Sequence, residues 1–256
     1  MKRIFYIFLS VAAICCSCKN QIGKVVVLSG VNDTRQVAVG DFTTLSINSG
    51  IDVVFVDSID YAVITTDKAL IDYVELKQEG EGLVVTYPNT VSWKGSCQTR
   101  VLLPLPEHLG EVYVGNTGSL TSGKTIMAES IKISINGSSN ATLSIEAQSM
   151  EIFVHNVSTA HFSGHTGYLN ANVQGGSQMV ADKENGKYQF VADKAEGYIG
   201  GEGTFFAGLK TGKLELIPNG KKEPVSIVAG ETMIGREDFV VLKLASSGNS
   251  RFAKKI

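Results

Sequence analysis

The 256-residue sequence is short of charge and of proline, with 19% charged residues and five prolines. A disordered chain has more charge and less apolar content than the 43% hydrophobic residues present here, so the composition predicts a folded protein. The formal net charge of −2 provides no basic footprint, and we therefore expect no nucleic-acid partner. Glycine is the residue in excess, with 27 copies and no Gly-X-Y period, which excludes collagen and is typical of turn-rich β structure.

Cysteine is also scarce, and three of the four cysteines lie near the N-terminus, at positions 15, 16 and 18. Residues 1–17 combine a basic start with a short apolar run, which predicts a secretory signal because a membrane span needs about 20 apolar residues. The pair Ser17-Cys18 resembles the lipobox of bacterial lipoproteins, which implies cleavage after Ser17 and lipidation of Cys18. The alternatives are an ordinary signal peptide that is cut elsewhere and an uncleaved anchor.

Lipidation would attach the mature chain to a membrane of the cell envelope, which we expect to be the outer membrane, through a tether over residues 18–36. The segment Lys19-Asn20-Gln21 lacks the acidic run expected of a surface-export signal, so the periplasmic face and the surface face both remain open. Cys97 would be the other cysteine of the mature chain, and no intrachain disulfide is expected.

The central part of the sequence repeats with a period of 19 residues. Three alternating apolar columns recur in four copies: Ile131-x-Ile133-x-Ile135, Met150-x-Ile152-x-Val154, Leu169-x-Ala171-x-Val173 and Tyr188-x-Phe190-x-Ala192. The alternation predicts strands with one face inward, and the unit is too short for a crossover helix. We therefore predict an all-β fold, a β-solenoid whose coils stack about 4.8 Å apart. The alternative is a β-sandwich with regularly spaced hairpins.

Residues 37–104 show strand patterns without this period. The turn Gly80-Glu81-Gly82, followed by the alternating segment Leu83–Tyr87, predicts a β-hairpin. The segment Asp67–Tyr73 predicts one short helix that begins at an aspartate N-cap.

Near the end of the sequence, Phe239–Leu244 predicts a further strand and Ser246–Ile256 a frayed tail. No proline-rich or charged linker divides the chain. We therefore predict a single domain over residues 37–245.

The segment Leu45–Phe55, with the sequence LSINSGIDVVF, precedes the predicted short helix and the hairpin at Leu83. Together with the Asn136-Gly-Ser turn of the repeat, these features resemble the auto-transporter adhesin head domain family, also named the head GIN domain family. The resemblance covers roughly residues 37–230. It implies an all-β, secreted or outer-membrane domain of the kind common in Bacteroidetes lipoproteins, with no established activity and no catalytic residues to carry over.

Titratable groups show no arrangement typical of an active site. Glycoside hydrolysis requires two carboxylates about 5–9.5 Å apart, yet no acid between residues 130 and 200 lies one period before another. His161 and His165 are four residues apart in a strand-and-turn pattern without a third ligand. We therefore predict no enzyme, no metal site and no cofactor site.

Small polar and amide side chains recur in the turns of the repeat. One column contains Asn136, His155, Gln174 and Asp193, and a second contains Ser139, Ser158 and Ser177. Columns of amides form hydrogen-bonded ladders more often than active sites. We predict that these seven residues form a face that binds a glycan or protein ligand weakly along its length.

Two functions therefore remain: a non-enzymatic envelope lipoprotein with an adhesive or structural face, and a β-solenoid that binds or cleaves carbohydrate. An exposed aromatic stripe would favour the second, because sugars stack on aromatic rings. Separately, Asp57-Ser58-Ile59 resembles the acceptor sequence of Bacteroidetes O-glycosylation, which implies modification of Ser58.

Overall fold

The computed structural model describes residues 23–57, 59–181, 183–184, 187–199, 204–209, 212–216, 225–229 and 239–243. This part of the chain is all-β, as the sequence predicts, because its regular elements are 21 strands and one 3-10 turn. The predicted signal segment, Cys18, Ser58 and the predicted tail Ser246–Ile256 lie outside the described residues. No helix in the described part of the chain is long and apolar enough to cross a membrane.

The strands before the repeat are β1 (Lys24–Val27), β2 (Asn32–Ala38), β3 (Thr44–Ile47), β4 (Ile51–Val56), β5 (Tyr61–Asp67), β6 (Glu75–Glu79), β7 (Gly82–Thr86), β8 (Val91–Lys94), β9 (Thr99–Pro104) and β10 (Glu111–Val114), with the 3-10 turn at Ile71–Tyr73. They are followed by β11 (Ser119–Ile135), β12 (Asn140–Val154), β13 (Thr159–Val173), β14 (Gln178–Ala181), β15 (Lys183–Glu184), β16 (Lys187–Tyr188), β17 (Phe190–Ile199), β18 (Thr204–Leu209), β19 (Gly212–Leu216), β20 (Val225–Ala229) and β21 (Phe239–Lys243). The predicted C-terminal strand is thus present as β21, which pairs antiparallel with β18.

The centre of the fold is a stack of parallel strands, β10 to β13, in which each strand pairs with the next one along the chain. β12 and β13 pair with a constant offset of one sequence period, from Asn140 with Thr159 to Val154 with Val173. β11 and β12 share this offset after a bulge that ends at Thr125. The period predicted from the sequence is therefore the register of this part of the sheet.

Apolar residues at the same register position lie on one another inside the stack. Ile133, Ile152 and Ala171 are neighbours on adjacent strands and are at most 1% exposed. The two flanking columns are buried in the same way: Ile131, Met150 and Leu169, and Ile135, Val154 and Val173. Burial of one such aliphatic side chain contributes roughly 1.5–3 kcal/mol, and the stack repeats this contribution in each coil. Cys97 is a free thiol, so packing rather than a disulfide stabilises the described part of the chain.

The fourth copy of the repeat does not continue the stack in the predicted register. Leu169 pairs with Ala195 of β17, which lies seven positions beyond the predicted partner Tyr188. The chain between β13 and β17 contains a small hairpin in which Glu184 of β15 pairs with Lys187 of β16. The sequence between these two residues is Asn-Gly, the strongest short-range hairpin signal. The predicted stacking of the fourth copy is therefore wrong.

Strands from the first part of the chain extend the stack beyond β10 and β11. β3 pairs with β10 and β4 with β11, and β7 and β9 lie beyond them. The predicted hairpin is confirmed, because β6 and β7 are antiparallel and Glu79 pairs with Gly82. β1 and most of β2 lie within the predicted tether 18–36, and they pair with β8 and β5.

The predicted helix over Asp67–Tyr73 is wrong, because only the 3-10 turn Ile71–Tyr73 forms. Asp67 is the last residue of β5, and Glu75 already begins β6. A segment this short cannot offset the cost of nucleating an α-helix, and it closes instead with i→i+3 bonds, such as the one from the N–H of Tyr73 to the carbonyl of Leu70 at 2.9 Å. The Asp67 carboxylate accepts from the N–H of Ala69 as an N-cap would, but it also accepts from Ser29 and Gly30 of a separate segment.

Candidate functional site

The serine column lies inside the stack and not on its surface. Ser139, Ser158 and Ser177 are each 0% exposed. The hydroxyl of Ser139 donates to the carbonyl of Asn136 at 2.7 Å, and the backbone N–H of Ser139 donates to Oγ of Ser158 at 3.4 Å. Such bonds offset the loss of water around the hydroxyls of Ser139 and Ser158, whereas Oγ of Ser177 is buried without a hydrogen-bond partner in the described part of the chain. The three serines are therefore structural parts of the turns, and they do not belong to the exposed face that the sequence predicted.

The second residue of each turn has a left-handed backbone. The φ angles are 52° at Asn116, 87° at Gly137, 69° at Asn156 and 74° at Gly175. Glycine and asparagine are the residues that adopt this conformation most readily. Ser49, at the equivalent position after β3, has a φ of 66°, so this column contains glycine, asparagine and one serine.

Five polar side chains beside the turns form what we call the polar ladder, which consists of one hydrogen-bonded pair, Asn136 and Asn156, and one hydrogen-bonded group of three, His155, Asn172 and Gln174. Nδ2 of Asn156 donates to Oδ1 of Asn136. Oδ1 of Asn172 accepts from Nε2 of Gln174 at 2.8 Å and lies 3.1 Å from Nε2 of His155. The structure thus brings together three of the predicted face residues. It adds Asn156 and Asn172, and Asn172 has a sequence signal because it lies two positions before Gln174 and hence on the same side of the strand.

A recess of about 420 Å³ opens beside the polar ladder. Its lining includes Tyr113, Lys132, Ser134, Asn136, Phe153 and His155. The rings of Phe153 and His155 meet edge-on, with centroids 6.1 Å apart and an interplanar angle of 87°. Nζ of Lys132 lies 3.1 Å from Oε1 of Glu111. This surface therefore presents aromatic rings, amide hydrogen-bonding groups and an ion pair within one area.

Asp193 does not belong to the polar ladder. The longer offset between β13 and β17 makes Asp193 level with Gly167 and not with Gln174. Its Oδ1 atom lies instead 3.0 Å from Nε2 of His165. The predicted place of Asp193 in the same column as Gln174 is therefore wrong, and the cause is the inserted hairpin.

Glu146, His165 and Asp193 form an acid–histidine cluster across β12, β13 and β17. Glu146 and His165 are register partners, and Nδ1 of His165 lies 3.9 Å from Oε2 of Glu146. The three side chains are 44%, 35% and 44% exposed, so water reaches the cluster. When His165 is protonated, its charge lies between two carboxylates from neighbouring coils. The sequence carried this signal, because His165 follows Glu146 by one period, but comparison of acids only with other acids missed it.

Three residues further along β13 and β17, Tyr168 and Glu196 form a tyrosine–carboxylate pair. The phenol of Tyr168 hydrogen-bonds to Glu196, and this bond raises the pKa of Tyr168 to about 12, with smaller contributions from burial and from the charge of the carboxylate. Within the described residues, no group of three or more His, Cys, Asp or Glu side chains has the arrangement of a metal site.

Comparison with known proteins gives both a family and a fold. The sequence model of the family described as "Putative auto-transporter adhesin, head GIN domain" matches residues 41–205. A solved structure described as a "putative adhesin" from Bacteroides fragilis NCTC 9343 is similar with a TM-score of 0.59 and 12% identity, covering 75% of this chain and 91% of that chain.

A "putative lipid binding protein" from Parabacteroides distasonis ATCC 8503 is similar with a TM-score of 0.52 and 17% identity, covering 77% of this chain and 94% of that chain. At these identities the structural likeness shows the fold alone. No curated protein matches the sequence. The family match spans more than half of the chain and confirms the resemblance seen in the segment Leu45–Phe55, so the chain belongs to the auto-transporter adhesin head GIN domain family.

Proposed function

We propose that this protein is a non-enzymatic binding module of the cell envelope, with an adhesive or structural role. The observation that carries the proposal is the polar ladder beside the aromatic recess, because amide, imidazole and aromatic groups come together there on a stack of parallel strands. Membership of a family named for adhesins supports the same role.

The architecture that presents this surface is, in our proposal, a β-solenoid. Parallel pairing of β11, β12 and β13 at an offset of one sequence period supports it, because each strand then lies directly above the equivalent strand of the preceding coil. Equivalent side chains consequently recur about every 4.8 Å along the stack. A surface with this repeat suits a ligand that is itself extended.

The proposed binding face differs from the seven residues predicted from the sequence. It keeps Asn136, His155 and Gln174, and it gains Asn172 and Phe153. The amides and the imidazole provide hydrogen-bond donors and acceptors, and the aromatic ring provides apolar contact. A glycan or a polar protein surface has the complementary chemistry.

Attachment to the envelope is proposed to occur through lipidated Cys18, with the outer membrane as the site and either the periplasmic or the outer surface as the side. The basic and apolar composition of residues 1–17 and the Ser17-Cys18 pair support this assignment. The double or triple acylation that such a cysteine carries holds a protein far more firmly than one chain, because each buried methylene contributes about 0.8 kcal/mol.

The absence of catalysis is part of the proposal. The acid–histidine cluster is the nearest approach to an acid–base pair in the described residues, and it lies apart from the recess lined by Phe153 and His155. Purified protein over residues 19–256, incubated with bacterial and host glycans, should release neither new reducing ends nor unsaturated products. Turnover that disappears in Glu146→Gln or Asp193→Asn would replace the binding module with a carbohydrate-active enzyme.

Binding itself is tested by immobilising residues 19–256 and measuring saturable retention of glycans and of envelope and host surface proteins. The double variant Asn172→Ala/Gln174→Ala removes two amides from the face, and we expect it to lose most of the retention. The matched control Asn140→Ala/Gln178→Ala removes two exposed amides from β12 and β14 and should bind like the wild type. Equal binding by the two variants would refute the proposed face.

A further inference from the structure

The first long strand of the stack has an edge that is only partly covered. On the side away from β12, β11 pairs with β4 over Ser119–Ser122 and with β10 over Lys132–Ile135. Between these pairings, residues 123–131 have no strand partner on this side among the described residues. Their seven central residues extend about 23 Å, which is the length of an ordinary strand. The backbone groups of such an edge can pair with another chain.

A groove of about 1260 Å³ opens beside the second half of this uncovered edge, at residues 127–130. Residues of β11 and β12 line one side of it, and the loop 107–110 that precedes β10 lines the other. Met127 lines the groove with 65% of its surface exposed, which is unusual for a large apolar side chain. Ala128, beside it, is half-buried against the core. The groove therefore combines unpaired backbone with apolar surface.

The charge of the groove is negative. Glu107, Glu129 and Glu146 line it. Neither Glu107 nor Glu129 has an ion-pair partner in the described part of the chain, whereas Glu146 lies 3.9 Å from His165. The two lysines of β11 do not offset these charges, because Lys124 pairs with Asp57 and Lys132 with Glu111.

We propose that this groove is a docking site for an extended segment of a partner protein that carries lysine or arginine side chains. The segment adds as a strand to the uncovered edge of β11 along residues 124–130, and its backbone bonds supply most of the affinity. Its cationic side chains face Glu107 and Glu129, and an apolar side chain packs on Met127. This site is separate from the polar ladder, and it adds a protein partner to the binding face described above.

The test uses three synthetic eleven-residue peptides with residues 19–256 of this protein. One alternates lysine with valine, one alternates glutamate with valine, and one is the lysine peptide with proline at every third position. We expect the lysine–valine peptide to bind saturably and to slow hydrogen exchange of the amides in residues 124–130. The glutamate peptide should bind at least about tenfold more weakly, because like charges replace opposite ones. The proline peptide should also bind weakly, because it cannot complete a strand.

A charge-reversed variant, Glu107→Lys/Glu129→Lys, should lose affinity for the lysine–valine peptide by roughly tenfold and gain affinity for the glutamate–valine peptide. The matched control Asp33→Lys/Asp60→Lys makes the same change of net charge at exposed positions outside the groove and should bind both peptides like the wild type. If the groove variant folds poorly, the salt dependence of wild-type binding replaces it, since opposite charges at a surface are screened with a Debye length of about 10 Å at 0.1 M.

Absence of saturable binding by the lysine–valine peptide, equal binding by all three peptides, or peptide-induced protection outside residues 124–130 would overturn the proposal. The amides of this segment that bond to β12 are already protected, so only those that point away from β12 report on the site, and their protection without peptide would also overturn the proposal. Protection that disappears on removal of residues 246–256 would assign the groove to the chain's own terminal segment. Protection that rises with protein concentration would assign it to a second copy of the chain.

Discussion

Glu146 and His165 are direct neighbours on adjacent parallel strands, with Oε2 of the carboxylate 3.9 Å from Nδ1 of the imidazole. They are one full period apart in the sequence, and this period is also the register of the sheet. Side chains one period apart therefore meet at the surface as reliably as they do in the core.

The left-handed turn position at Gly175 is expected to tolerate only glycine, because any side chain there would meet the backbone of the preceding turn. In Gly175→Ala a Cβ would lie 2.6 Å from the carbonyl oxygen of Asn156, at a φ of +74°. The expected loss of folding free energy is about 1–3 kcal/mol, or a fall in Tm of roughly 2–12 °C. Thermal unfolding followed by circular dichroism measures it. The adjacent Gly176→Ala is the control, because its added Cβ would meet the same oxygen at 3.6 Å without a positive φ, and it should unfold like the wild type.

The Asp67 carboxyl is expected to make the stability of the fold depend on pH in the acidic range. Burial raises the pKa of Asp67, but hydrogen bonds from Ser29, Ala69 and Gly30 outweigh burial and hold the pKa below its ordinary value of 3.8. A lowered pKa in the folded state stabilises the protein above the ordinary value, and this stabilisation disappears as the pH falls through the lowered one. We therefore expect stability to fall below about pH 4.

Urea unfolding between pH 2 and pH 7 checks this expectation for Asp67. Asp67→Asn should be less stable than the wild type at pH 7, and the difference should shrink as the pH falls. Asp60→Asn, at an exposed position, serves as the control and should follow the wild-type profile. A constant difference between Asp67→Asn and the wild type at every pH would contradict the assignment.

The phenol of Tyr168 is expected to lose its proton only at unusually high pH. Its hydrogen bond to Glu196 raises the pKa of Tyr168 to about 12, so removal of the carboxylate charge in Glu196→Gln should return the pKa towards the ordinary value of 10.0. NMR titration of the ring resonances measures the change. Glu151→Gln removes a different carboxylate from β12 and should leave the titration of Tyr168 unchanged. A shift of the same size in both variants would point to general charge effects.

Removal of one whole period should shorten the stack without unfolding it. Deletion of Met150–Tyr168 removes one period and places Leu169 directly after Ser149, where it can pair with Ile131 as Met150 does now. Each coil contacts only its neighbours, so cooperative unfolding should persist. Deletion of the shorter segment Met150–Thr159 should be far more destabilising, because it shifts the inward-facing positions out of register. Equal damage from both deletions, measured by thermal unfolding, would argue against the solenoid.

Cys18→Ala should abolish lipid labelling and release the protein from membranes. The thiol is the group that forms the thioether, and the apolar segment before it is removed with the signal. Growth with labelled palmitate followed by membrane fractionation measures both effects. Cys16→Ala is the matched control and should remain labelled. Labelling of the Cys18→Ala protein would show that the lipobox assignment is wrong.

The sequence was sufficient to predict the strands whose contacts repeat. The columns that begin at Ile131, Met150 and Leu169 are apolar at every second position, and a single period relates them. The prediction for the fourth copy of the repeat failed because apolar alternation alone does not detect an inserted hairpin. The Asn-Gly pair before Lys187 was the available signal, and it carries more weight than an alignment of three apolar positions.

The candidate site was predicted less well, because residue type was given more weight than strand parity. Serine is usually exposed, yet Ser139 lies two positions before the apolar Ala141 and therefore points to the same, inward side. His155 and Gln174 were found because amide and imidazole groups recur at the period. Their shared partner Asn172 belongs to a neighbouring column, and the signal for it was strand parity, because it lies two positions before Gln174.

The parallel register also determines how the protein would respond to force. Because each coil bonds only to the coils before and after it, tension along the stack can detach one coil at a time while the next remains folded. A detached coil would lengthen the chain by about 60 Å, from a rise of about 4.8 Å in the stack to roughly 3.4 Å for each extended residue. In the adhesive role proposed above, the molecule would thus extend in steps under load, and the contact would dissipate load before it broke.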